Sequence, residues 1–92
     1  MVRLFLEEKN MESRVAVISI IVEDRGATDK LNALLHEYGD YIIGRMGIPY
    51  RERKINVISV ALDAPQDVIA ALSGKIGALE SVTAKTAYSN VG

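Results

Sequence analysis

Arg14-Val15-Ala16-Val17-Ile18-Ser19-Ile20-Ile21-Val22-Glu23 returns later in the chain as Lys54-Ile55-Asn56-Val57-Ile58-Ser59-Val60-Ala61-Leu62-Asp63, at a constant offset of 40. Val-Ile-Ser is identical in the two stretches, and most other pairs keep their chemistry. With two residues deleted the likeness continues: Leu31, Leu34, Tyr38 and Gly39 align with Ile69, Leu72, Ile76 and Gly77 at an offset of 38. The chain therefore reads as two similar halves, each opening on a strand rich in Val and Ile, residues that suit a pleated, packed surface.

Outward from those strands, each half continues as helix and then strand. Leu31, Leu34, Leu35 and Tyr38 recur at i, i+3, i+4 and i+7, one apolar stripe of a helix spanning about residues 27–38. Gly39 fits a left-handed position after its end. A second helix is expected to start at Pro65, where a missing N–H costs nothing. Its stripe is Val68, Ile69, Leu72 and Ile76, with Gly77 as its cap and Gly74 weakening it by up to about 1 kcal/mol relative to Ala. Second strands follow at about 41–48 and 81–88, and 49–53 is short enough for a hairpin turn. The order β-α-β-β-α-β, with right-handed crossovers, predicts an α+β ferredoxin-like sandwich: a four-stranded sheet with two helices on one face and the Val-Ile-Ser strands as its central pair.

The strand faces sharpen the reading. Ile18, Ile20 and Val22, with Ile58, Val60 and Leu62, form the bulkier set and are placed under the helices. The opposite set is Val15, Val17, Ser19 and Ile21, with Ile55, Val57, Ser59 and Ala61. A sheet with one wet face should alternate apolar and polar residues, yet only the two serines relieve this second face. Such a patch on a small domain implies cover by a partner. A second copy of the chain is the simplest one, with Val15, Val17, Ser19, Ile21, Ile55, Val57 and Ser59 at the interface. Residues 1–12 read as a tail or an added edge strand ahead of a domain spanning 13–90. By folding back they are the alternative cover.

Composition bounds the function. Ninety-two residues make one domain, and a chain this short is marginal alone, which self-association remedies. Apolar residues are 49% and charged residues 25%, so the chain is globular rather than disordered. The net charge of −1 makes no broad electrostatic case for nucleic acid or an anionic membrane. No run approaches the ~20 apolar residues of a membrane-spanning helix, and no signal-peptide core forms near the start. The absence of cysteine excludes disulfides, thiolate metal sites, iron–sulfur clusters and a cysteine nucleophile, and it fits the cytoplasm.

No catalytic set is readable. His36 is the single histidine, neighbours the first helix stripe off its centre, and reads as a solvated surface residue. Neither Glu7-Glu8 nor Glu23-Asp24 has calcium-loop spacing. Ser19 and Ser59 lie mid-strand, away from His36, and neither a nucleophile elbow nor a P-loop is present. RNA-recognition domains share the element order but stack bases on aromatic residues of the central strands, and here those strands carry none. No metal, cofactor or catalytic residue is expected.

Binding candidates remain. Glu23-Asp24-Arg25-Gly26 joins the first strand to the first helix, whose N-terminus favours an anionic group, although a plain turn reads equally well. Gly44-Arg45-Met46-Gly47-Ile48-Pro49-Tyr50-Arg51 is the least ordinary stretch. Its glycines suggest bulges or close backbone approach, and Tyr50 is a polar-tipped aromatic. Arg51, Arg53 and Lys54 form a small basic cluster that reads first as a solvated turn and second as an anion contact at an oligomer interface. The candidate ligand contacts are Glu23, Asp24, Arg25, Gly26 and Thr28, with Arg45 and Tyr50.

On residues 44–51, with Val57-Ile58-Ser59-Val60 and Leu72-Ser73-Gly74-Lys75-Ile76-Gly77, the chain resembles the small ACT-like proteins associated, as regulators, with iron-only hydrogenase systems. It is most similar to stand-alone members from thermophilic bacteria. The likeness covers about 13–90, and Gly-Arg-Met-Gly-Ile-Pro is its specific part. The resemblance implies an ACT-like ferredoxin fold related to the ligand-binding domain of nickel-responsive regulators. It also implies small-molecule binding near the first strand-helix turn, often at a subunit interface, with Gly26 where ACT domains carry a turn glycine. The His and Cys ligands of nickel-responsive domains are missing, so nickel sensing does not carry over.

Three readings follow. The first is a homo-oligomeric regulatory module that senses an unidentified small molecule. The second is a structural or chaperone-like protein partner in metalloenzyme assembly. The third, least supported, is a small ferredoxin-like enzyme.

Overall fold

β-Branched residues recur through both repeated stretches, and each forms a long strand. The structure is a computed structural model that describes residues 13–89. The reading of residues 1–12 as a tail or edge strand lies outside the described residues. The elements are β1 (Ser13–Val22), α1 (Gly26–Glu37), β2 (Ile42–Tyr50), β3 (Ile55–Pro65), α2 (Gln66–Gly77) and β4 (Val82–Tyr88). The strands form one antiparallel sheet in the order β2-β3-β1-β4, so the repeated strands are its central pair. Ser19 lies opposite Ser59, and the two Val-Ile-Ser segments run past each other in opposite directions. This is the expected ferredoxin-like α+β architecture, with both helices on one face.

Alternation along the central strands puts Ile18, Ile20, Val22, Ile58, Val60 and Leu62 in the core. Leu31 and Leu35 of α1 and Ile69, Leu72 and Ile76 of α2 close over them, while Leu34, Tyr38 and Val68 pack at the margin. Full burial of each such Ile or Leu contributes about 1.5–3 kcal/mol. These terms hold the helical layer to the sheet.

Both helices end differently from the sequence expectation. No described glycine has positive φ, so neither Gly39 nor Gly77 is a left-handed cap. After α1 the chain tightens into a 3-10 turn, Gly39–Tyr41, in which Tyr41 N–H donates to the Tyr38 carbonyl at 3.0 Å. After α2, Ala78 N–H donates to the Gly74 carbonyl and Leu79 N–H to that of Ile76. Continued right-handed winding satisfies the last carbonyls, and no left-handed reversal is needed there. The left-handed positions are Lys54, at φ 56, and Ser81, at φ 64, each just ahead of a strand. Pro65 is the N-cap of α2 rather than its first residue.

Edge strand β2 carries the irregularity its glycines suggested. Ile42 opposes Leu62 and Gly44 opposes Ala61, which leaves Ile43 as the extra residue of a bulge. Beyond it the register is regular through Tyr50, opposite Ile55. Met46, Ile48 and Tyr50 therefore share the outer sheet face with Ser59, Val57 and Ile55, whereas Arg45, Gly47 and Pro49 share the helical side.

Candidate functional site

The β1–α1 turn is fastened by its own backbone. Glu23 N–H donates to the Ser81 carbonyl at 2.8 Å, which ties the turn to the start of β4. Asp24 Oδ1 accepts from Gly26 N–H at 3.1 Å, and the Asp24 carbonyl accepts from Ala27 N–H at 3.0 Å. Thr28 N–H donates to the Arg25 carbonyl at 3.0 Å. The first amide donors of α1 are thus occupied internally. Anion recognition at this end of the sheet falls to side chains rather than to the helix terminus.

Those side chains come from two elements. The β2–β3 connection is a 3-10 turn, Arg51–Arg53, closed by Lys54 in the left-handed region, with Lys54 N–H donating to the Arg51 carbonyl at 3.1 Å. It faces the β1–α1 turn across the ends of the strands. Between them lies a cleft of about 190 Å³ lined by Val22, Arg25, Pro49, Tyr50, Arg51, Lys54, Ile55 and Asn56. A wider recess of about 520 Å³ adjoins it, sharing Arg25, Arg51 and Lys54 and adding Glu23 and Asp24. A third hollow, about 270 Å³, shares Pro49 and Asn56 with the cleft and is lined also by Thr28, Asn32 and Arg45. There Arg45 Nη2 donates to Asn32 Oδ1 at 3.2 Å, which holds the guanidinium against α1.

The seven candidate ligand contacts divide accordingly. Arg25 and Tyr50 meet in the inner cleft, Glu23 and Asp24 stand at its outer recess, and Thr28 and Arg45 line the adjoining hollow. Gly26 lines none of these three and serves the turn through its amide. Arg51 and Lys54, read first as a solvated turn, line the cleft, whereas Arg53 does not. Asn32 and Asn56 were missed. Asn56 had a signal: it stands in the inward row with Ile58, Val60 and Leu62, opposite Val22, where a polar side chain interrupts an apolar series.

The candidate interface residues fall on one surface. Val15, Val17, Ser19, Ile21 and Val57 are exposed on the sheet face away from the helices, and Ile55 and Ser59 are half-buried there. Met46 at 65% exposure and Ile48 at 58% extend that face onto β2, beyond what the sequence reading included. His36 is exposed on α1. Among the described residues no group of three or more His, Cys, Asp or Glu side chains is gathered to hold a metal ion. No helix of the described residues is long and apolar enough to cross a membrane.

Comparison with known proteins shows the family of the chain. The family model described as "TM1266-like: Iron-only hydrogenase system regulator, putative" matches residues 14–86, from the first residues of β1 into β4. The chain belongs to this TM1266-like family. The solved structure of TM1266 from Thermotoga maritima shares 36% identity with it, over 84% of this chain and 98% of that one, with a TM-score of 0.81. The TM1266-like fold also matches part of a formyltetrahydrofolate deformylase from Pseudomonas putida KT2440, at 15% identity and a TM-score of 0.58. That match covers 79% of this chain and 28% of the deformylase, and it concerns the fold alone. No curated protein gives a significant match.

Proposed function

We propose that this protein is a cytoplasmic, homo-oligomeric regulatory module without catalytic activity. It takes a small ligand in the clefts at the β1–α1 end of its sheet and acts on the iron-only hydrogenase system through another protein. One observation carries the reading. Tyr50 and Ile55 sit opposite each other at the end of the apolar outer sheet face, and both line the inner cleft. A copy packed on that face thus lies beside any ligand in the cleft. Occupancy then shifts the assembly by as much as the ligand's affinity differs between the two states. Val15, Val17, Ser19, Ile21, Ile55, Val57 and Ser59 form the assembly surface, and Glu23, Asp24, Arg25, Thr28, Arg45 and Tyr50 form the ligand end.

Sedimentation velocity on the purified full chain, combined with a thermal-shift screen of amino acids, nucleotides and small anions, tests this. The expected result is an oligomer whose melting temperature or association constant rises with at least one compound. A monomer at high concentration that no compound stabilises overturns it. The same outer face favours a second reading, a structural or chaperone-like partner in metalloenzyme assembly. A stoichiometric hydrogenase-system protein bound through that face, with no small-molecule response, selects the second reading.

A further inference from the structure

We infer that the ligand taken by the inner cleft is a small molecule bearing a phosphate or pyrophosphate group, held by Arg25, Arg51 and Lys54. The inference rests on the ligand-responsive reading above and names the chemistry of that ligand. Three cationic side chains from two separate turns line one cleft, and no carboxylate lines it. Glu23 and Asp24 are confined to the outer recess, where the Asp24 carboxylate is engaged by Gly26 N–H. None of the three cations forms an ion pair with another described residue.

Charge matching then decides the class. One carboxylate is satisfied by one bidentate arginine. Three cations around a small cleft call for a group that spreads nearly two negative charges over several oxygens, as a phosphate does at neutral pH. Tyr50 and Asn56, which carry neutral donors, belong to the same lining. Val22, Pro49 and Ile55 supply the apolar part of the same lining. The β2–β3 turn holds its residues in this arrangement at some cost, because Lys54 adopts a left-handed backbone. A non-glycine residue kept in that conformation beside a cleft is a feature of binding sites.

The test is titration of inorganic pyrophosphate into the full-length protein, followed by backbone amide NMR. Parallel titrations use Arg51→Gln, Lys54→Asn and, as a control at the far ends of the helices, Lys75→Gln. Asparagine tolerates the left-handed region, so the Lys54 variant keeps its turn. The expected result is saturable movement of the Arg25, Arg51 and Lys54 amides. Affinity should fall by about tenfold or more in each cleft variant, the loss expected for a charge-assisted contact, and stay unchanged in the control. Raising the salt should weaken it further. No saturable movement at about ten times the pyrophosphate concentration of an ordinary millimolar site overturns the proposal. So does equal binding by the cleft variants. If a neutral or zwitterionic compound stabilises the protein while pyrophosphate does nothing, the phosphate assignment fails and the regulatory reading stands. If every compound is silent, both fail.

Discussion

Lys54 has φ 56 and ψ 38, a conformation that costs a side chain with a Cβ about 1–2 kcal/mol. Glycine adopts it freely but loses more entropy on folding, by about 0.5–1 kcal/mol. Lys54→Gly should therefore leave stability unchanged or raise it by up to about 1 kcal/mol in urea unfolding, while Lys54→Ile should lower it. Core residues behave oppositely. Ile18 and Ile20 are fully buried, and truncating either to alanine should cost about 2–5 kcal/mol by the same measurement. The inward row of Ile and Val was legible in the sequence because alternation has a period of two and bulk marks the covered side. Lys54 was not, because no residue type announces a left-handed backbone except glycine and asparagine, and the glycines that drew attention lie elsewhere. Asn56 was legible in principle, as a polar residue in an apolar row.

At the level of elements, the helices are tied to their surroundings by a few polar contacts over the apolar core. The Ser73 hydroxyl of α2 and the Thr86 hydroxyl of β4 are 2.7 Å apart and partly buried. Ser73→Ala should cost about 0.5–1.5 kcal/mol in thermal or urea unfolding. The ends of the helices meet at Lys75, whose ammonium lies 5.1 Å from the Tyr38 ring centroid and 3.7 Å from Glu37 Oε2. Interaction with Tyr38 first, and then the Glu37 charge, raise the Lys75 pKa above its ordinary 10.5. A raised lysine stabilises the fold below its unfolded pKa, and that contribution fades as pH rises through the folded value. The Tm difference between the native chain and Lys75→Met should thus be constant from neutral pH to about pH 10 and shrink at higher pH. Helix stripes and strand order were readable from periodicity and handedness. The helix ends were not, because a glycine after the last apolar position marks the end of a stripe without deciding how the carbonyls are satisfied.

Across the whole molecule, the outer sheet face is the least explained surface unless another copy covers it. Val17 lies at its centre, opposite Ala61 and Ala87, and takes no part in the buried core. Val17→Lys should leave the far-ultraviolet circular dichroism intact and reduce the mass seen by light scattering to that of one chain. An unchanged mass would place the contact elsewhere. The apolar character of this face could be read from residues 15–21 and 55–61, but its extension over Met46 and Ile48 could not. Their orientation follows from the bulge at Ile43, which resets the alternation of β2.

The interleaved strand order also bears on how the polypeptide is made. β1 has β3 and β4 as its neighbours and does not pair with β2, while β3 lies between β1 and β2. Neither repeated half holds a pair of adjacent strands, so a nascent chain that has emerged only as far as Tyr50 has nothing to zip. Pairing begins when β3 emerges, since it alone joins β1 to β2, and β4 then closes the free side of β1. Until β3 emerges the earliest strand, rich in isoleucine and valine, waits unpaired and depends on chaperones or on speed.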